Sequence, residues 1–175
     1  MFYIFNMEVN QMEEYLSEVK IEKLPALRVA TYRAVGDEPE NESIEYVNKW
    51  VQKNVIDPGL AKEEDLKHFG FDIPIYPHLT KKGYRGYEAW KQIPEGVKSS
   101  EHIVIKEIQE DTYATIIIEE PFKAPFERIG KGWKFLVNWV NTGEYNSKFT
   151  MNRYCLEEVY EENGIEYMKL YEPVK

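Results

Sequence analysis

Asn163-Gly164 divides two runs, Cys155-Leu156-Glu157-Glu158-Val159-Tyr160 and Ile165-Glu166-Tyr167-Met168-Lys169-Leu170-Tyr171, and so fixes how the last third of the chain pairs. Asn-Gly tolerates the two positive φ angles of a type I′ turn, whose twist matches that of a hairpin. With those two residues as the loop, Glu162 faces Ile165, Tyr160 faces Tyr167, Glu158 faces Lys169 and Leu156 faces Tyr171. Side chains alternate across a strand, so Leu156, Glu158, Tyr160, Tyr167, Lys169 and Tyr171 share one face. Val159, Met168 and Leu170 share the other, a hydrocarbon surface suited to a helix. The first face sets three tyrosines around a carboxylate.

The 175 residues suit one domain, or one domain of two related halves. A chain of that length buries roughly 70% of its unfolded surface, enough for a full core. Thirteen tyrosines supply rings with polar tips, which fit the walls of a half-wet cavity as well as a core. The net charge is −9, and no Lys/Arg cluster is interleaved with aromatics, so direct nucleic-acid binding is not expected. A single cysteine, Cys155, leaves no intramolecular disulfide and fits a reducing, cytoplasmic setting. The apolar start, Met1 to Met7, runs into Glu8, Glu13 and Glu14; it reads as neither a signal peptide nor a membrane span.

A first strand reads from about Val19 to Val35, broken near Leu24-Pro25. A helix follows with Asn41 as its cap, its apolar stripe formed by Ile44, Val47, Val51 and Val55 with Trp50 alongside. Phe69 to Tyr76 is a strand that Pro74 confines to an edge or bulge, and Tyr84 to Ile93 is another. The order then recurs. Ile103 to Lys106 and Tyr113 to Ile118 are strands, and Phe126 to Val140 is a helix with Ile129, Trp133, Leu136 and Val140 on one side. Gly130 and Gly132 weaken its start. The Asn-Gly hairpin closes the chain. The expected fold is therefore α+β. Duplicated strand-helix-strand-strand halves, about 19–98 and 99–175, form one antiparallel sheet with two main helices on one face and a cleft where the halves meet. Residues 1–18 are read as an extension.

Glu158 admits two readings from its residues alone. It is either a cross-strand ion pair with Lys169 or a carboxylate desolvated among Tyr160, Tyr167 and Tyr171 that seeks a cation. Trp90 and Glu88 share a face by parity, so an exposed indole beside an acid offers a seat for a flat cation, while a core tryptophan with an edge glutamate is as common. Tyr32 and Tyr113 start equivalent strands and are candidates to line the cleft. Trp133 and Trp139 reach its edge from the second helix, although aromatic stripes at helical spacing are usually core. His68, His78 and His102 show no ligand spacing, so no metal or other cofactor is expected. Cys155 falls on the hydrocarbon face and reads as a packed thiol.

Several features resemble the GyrI-like small-molecule-binding domains, related to DNA gyrase inhibitory protein and to the effector-binding domains of AraC- and MerR-type regulators. They are Tyr113-Ala114, the helix with Trp133 and Trp139, Glu158-Val159-Tyr160, Tyr171 to Val174, and Gly86-Tyr87-Glu88-Ala89-Trp90 followed by Ile93-Pro94. The resemblance spans about Val19 to Val174 and implies a stand-alone cleft for amphipathic or cationic aromatic compounds, with Glu158 as the charged contact. Where many members carry Gly-Pro, this chain has Glu120-Pro121-Phe122, so the cleft mouth is expected to differ. Three classes of function follow: capture of such a compound; hydrolysis of strained electrophiles with Glu158 as base; or a protein partner, docking on a transcription factor or topoisomerase. Neither a direct nucleic-acid nor a membrane partner is expected.

Overall fold

The computed structural model describes residues 13–145 and 153–174. In chain order these form β1 (Lys20–Leu24), β2 (Leu27–Gly36), α1 (Pro39–Val51), β3 (His68–Asp72), α2 (Pro77–Thr80) and β4 (Arg85–Gln92). There follow β5 (Val104–Ile108), β6 (Asp111–Glu119), α3 (Pro125–Thr142), β7 (Leu156–Glu162) and β8 (Ile165–Pro173). The strands make one antiparallel sheet in the order β1-β6-β8-β7-β3-β4-β2-β5. β1 to β4 and β5 to β8 each comprise two strands, a long helix and two further strands, and the pairs β3–β4 and β7–β8 lie next to one another in the sheet. The long strand expected from Val19 to Val35 is β1 and β2, broken where Pro25 removes a backbone donor.

That break shapes the molecule. Leu24 lies opposite Asp111, and three residues on, Leu27 lies opposite Ile108, three residues before Asp111. The register passes through the interruption unchanged, so β1–β2 and β5–β6 are one long antiparallel ribbon. Its two parts sit at opposite ends of the strand order. Connections of two residues, Pro25-Ala26 and Gln109-Glu110, hold those ends within about 11 Å of each other at this corner. The sheet has to curl. Leu24, Leu27, Val29, Phe69, Trp90, Tyr113, Leu156 and Tyr171 pack into its hollow.

Partner rows show which side chains share a face. Tyr32, Ala89, Gly70, Glu157, Leu170 and Ile116 form a row that points toward the helices. The adjacent row, Thr31, Trp90, Phe69, Glu158 and Lys169, points into the hollow. On the helix face, Val47, Trp50 and Val51 of α1 pack on Ala30 and Ala89, and Leu136 and Val140 of α3 pack on Ala114, Ile116 and Leu170. Fully burying one such aliphatic chain stabilises by about 1.5–3 kcal/mol.

Helix starts differ from the sequence reading. α1 begins at Pro39, ahead of Asn41, because proline's fixed φ suits the first turn and its missing N–H costs nothing there. α3 likewise starts at Pro125. Gly132, expected to weaken that helix, is a contact: a Cβ there would lie 2.7 Å from Ile118 Cδ1. Absence of a side chain lets α3 settle on β6. The Asn163-Gly164 turn has φ of 54° and 79°, as a type I′ turn requires, and the hairpin has the register counted from the sequence.

Gly70 has a similar role at the centre of the sheet, where an added Cβ would lie 2.0 Å from the Tyr87 hydroxyl oxygen. Gly70→Ala is expected to lower unfolding free energy by about 1–3 kcal/mol in urea titrations, since the ring and the backbone cannot both stay in place. A second expectation concerns acid. Burial, followed by nearby Lys91, lowers the His68 pKa to about 4. The unfolded chain therefore binds the extra proton between that value and the ordinary one near 6.5. Stability contributed by neutral His68 is complete above about pH 6.5 and is lost as pH falls toward 4, up to about 3 kcal/mol. Urea titrations from pH 7 to 4 with His68→Gln should show a shallower decline.

Candidate functional site

β3 and β7 join the two halves through only two residue pairs, Phe69 with Glu158 and Gly70 with Glu157. Beyond Gly70 each strand is drawn toward its own half. Ile73 donates its N–H to the Gly86 carbonyl at 3.0 Å, keeping the chain beside β4. On the other side, Arg153 grips Asp111 in bidentate fashion at 2.6 and 2.7 Å and donates to the Val174 carbonyl at 2.7 Å. The segment entering β7 is thereby held against the ends of β6 and β8. A cavity of about 580 Å³ opens in the gap.

Phe71, Ile73 and Pro74 wall it from one half, and Trp133, Val137 and Tyr154 from the other. Tyr154 packs against Phe71 and Trp90 with ring centroids 4.9 and 5.0 Å away, so its ring is braced. Four charged side chains reach the cavity: Arg33, Asp72, Glu157 and Glu172. By strand parity the three acids lie on the helix face with Gly70 and Leu170, and Arg33 lies on the hollow side with Glu88 and Phe71.

Glu157 accepts a hydrogen bond from the Trp133 indole at 2.8 Å. Burial lifts its pKa above the usual carboxylate range; the indole bond pulls it back, while Asp72 and Glu40 push it further up. The acid is thus short of compensating positive charge. Glu172 is buried and accepts from the Cys155 thiol at 3.0 Å. Burial, then that carboxylate, drives the thiol's pKa far up, so it stays protonated. No group of three or more His, Cys, Asp or Glu among the described residues is placed to hold a metal ion.

Glu158 and its tyrosines hold different positions. Glu158 is only 6% exposed, but it does not line the cavity. It points into the hollow, where Lys67 donates to it at 2.6 Å and the Tyr171 hydroxyl also donates. Lys169, its expected cross-strand partner, instead pairs with Glu22 at 2.5 Å. Tyr160 and Tyr167 stack on each other at 5.5 Å. Tyr113 meets Tyr171 edge-on at 5.6 Å, and burial pushes its phenol up to about 12.

Four expectations need correction. Trp90 is not an exposed platform: it is fully buried, with Phe71 and Tyr154 edges against it and Lys106 above its ring. Glu88 is fully buried as well and is saturated, accepting from Trp90 at 2.6 Å and from Lys106 and Arg33. Burial raises its pKa, but these three donors outweigh it and hold the carboxyl below its usual value. Tyr32 lies on the helix face, stacked on Tyr46 at 4.1 Å, because its even position on β2 turns it away from the hollow. Trp139 stacks on Tyr145 at 5.7 Å, and of the two helix tryptophans only Trp133 reaches the cavity.

The sequence reading passed over Glu157, Glu172, Asp72, Arg33, Phe71 and Tyr154. For the two glutamates a signal existed. Both are acids on the face that carries Val159, Met168 and Leu170, and a carboxylate on a helix-covered face loses part of its hydration and needs a donor in exchange.

Comparison with known proteins fits this architecture. The chain matches no curated protein. Among solved structures it is similar to EcmrR. The EcmrR C-terminal domain superimposes with a TM-score of 0.65 at 15% identity, covering 90% of this chain and 97% of that one. In the EcmrR–DNA complex the TM-score is 0.66 at 15% identity, and the match covers 92% of this chain but 58% of the EcmrR chain. A hydrolase from Listeria innocua is similar at a TM-score of 0.55 and 9% identity, with 90% and 92% of the two chains covered. SAV2435 bound to tetraphenylphosphonium matches at 0.50 and 12% identity, with 91% and 94% covered. These likenesses concern the fold. With residues 17–175 matched by its family model, the chain belongs to the GyrI-like small molecule binding domain family.

Proposed function

We propose that the cavity between β3 and β7 captures an amphipathic cation with aromatic groups, and that Glu157 is its countercharge. One observation carries this reading. Glu157 is a desolvated carboxylate with raised proton affinity, held by an indole at the wall of an aromatic-lined cavity. A cation there relieves the charge that burial leaves exposed to its acidic neighbours. Trp133, Tyr154 and Phe71 supply faces and edges for a flat or propeller-shaped hydrocarbon, each cation–π contact contributing about 0.5–2 kcal/mol. SAV2435, similar in fold, holds tetraphenylphosphonium, a cation of this class. The contact that the family resemblance gave to Glu158 passes, on this reading, to its neighbour. Glu158 instead ties the halves together, since Lys67 precedes β3 and Tyr171 belongs to β8. Among the described residues no observation favours hydrolysis over capture, and the protonated Cys155 thiol is the opposite of an activated nucleophile.

Tetraphenylphosphonium titrated by calorimetry tests the assignment. Glu157→Gln should weaken binding by about tenfold, equivalent to about 1.4 kcal/mol. Glu158→Gln should keep wild-type affinity and lower the denaturation midpoint. Wild-type affinity should fall as pH drops through the raised Glu157 pKa, because a proton then competes with the cation, and Glu157→Gln should flatten that profile. Equal affinity of wild type and Glu157→Gln at all pH values would rule the assignment out.

A further inference from the structure

The cavity is polarised between the two faces of the sheet, and this narrows the ligand further than a positive charge alone. Asp72, Glu157 and Glu172 all reach it from the helix face of the sheet, whereas Arg33 reaches it from the hollow side. The acids and the guanidinium thus line one cavity from opposite faces of the sheet. Arg33 is also held in a particular way. Its Nε donates to fully buried Glu88, whose other oxygen is taken by Trp90 and Lys106. The two terminal nitrogens of Arg33 have no hydrogen-bond partner among the described residues. A guanidinium anchored through Nε presents a two-pronged donor edge, the geometry that matches a carboxylate.

We propose, resting on the capture reading above, that the site selects a zwitterionic aromatic compound: a delocalised cation seated by Glu157 and Trp133, and a carboxylate received by the outward edge of Arg33. The Arg33 side chain is 60% exposed, so a ligand with positive charge only leaves that edge to solvent and gains nothing from it. A ligand with both charges satisfies both sides, and its own dipole runs from one to the other. Glu88 is then a positioning residue, fixing the guanidinium without touching the ligand.

The test uses a rhodamine with a free carboxylate and the methyl ester of the same dye, which share one cationic ring system. Fluorescence anisotropy with the full chain gives the affinity of each. The wild type should prefer the acid by about tenfold. Arg33→Gln should abolish that preference. Arg33→Lys keeps a positive charge for Glu88 but loses the planar fork, so it should stay folded and lose most of the preference. Circular dichroism of each variant shows whether it is folded. Should Arg33→Gln fail to fold, Arg33→Lys decides the matter alone. If the wild type binds ester and acid equally, or if both folded variants retain the preference, the zwitterion inference is overturned while cation capture stands. If neither dye binds and tetraphenylphosphonium does not either, both readings fall together.

Discussion

Two backbone-paired residues on each side, Phe69 and Gly70 against Glu158 and Glu157, hold the halves of this sheet together at its middle. Everything at the site follows from how short that seam is. Were the pairing longer, Phe71 and Asp72 would lie opposite Leu156 and Cys155 and the gap would close. Were it absent, the halves would be joined only through the ribbon at the sheet's far ends. The ribbon limits the outcome as well. Its unbroken register through Pro25-Ala26 and Gln109-Glu110 brings the sheet ends together, so the strands curl around an apolar hollow.

Three carboxylates near this seam divide into two opposite roles. Glu158 and Glu88 face the hollow, and each is met by a neutral donor and by cationic donors from other segments of the chain. Such networks rarely add much net stability, because desolvating the ions costs about what their attraction returns. What they do fix is which strands lie side by side, since any other arrangement leaves a buried charge alone. Glu157, one residue away, faces the other side. It has an indole donor and acidic neighbours, with no cation among the described residues bonded to it. The contrast between satisfied and under-satisfied acids, on adjacent positions of one strand, is the chemical signature of the cavity.

Much of the scaffold was legible from local pattern. The hairpin register came from Asn163-Gly164 alone, since a two-residue loop leaves a single way to count partners. The helix stripes followed from spacing, and Val47, Val51, Leu136 and Val140 are all buried. Parity also placed Glu158 and Trp90 on their faces. It did not distinguish a face that encloses a cavity from one that is filled. The hollow side, rich in tyrosine, reads as a binding surface, yet much of it is taken up by the packing of Leu24, Leu27, Phe69, Trp90, Leu156 and Tyr171. Tyr32 and Tyr113 begin equivalent strands but differ in alternation, so Tyr32 faces the helices and Tyr113 the hollow.

The chain's own pattern thus determined the antiparallel pairing of β7 and β8, the two helices and the division of side chains between faces, because those depend on near neighbours and on periods of two and 3.6 residues. Only the tertiary structure decided where the cavity lies. The strands part because Arg153 is held by Asp111 and Val174, and because Ile73 stays with Gly86. Those contacts join residues distant in sequence, so no local pattern announces them, and they choose Glu157 over Glu158 as the acid that meets the cavity.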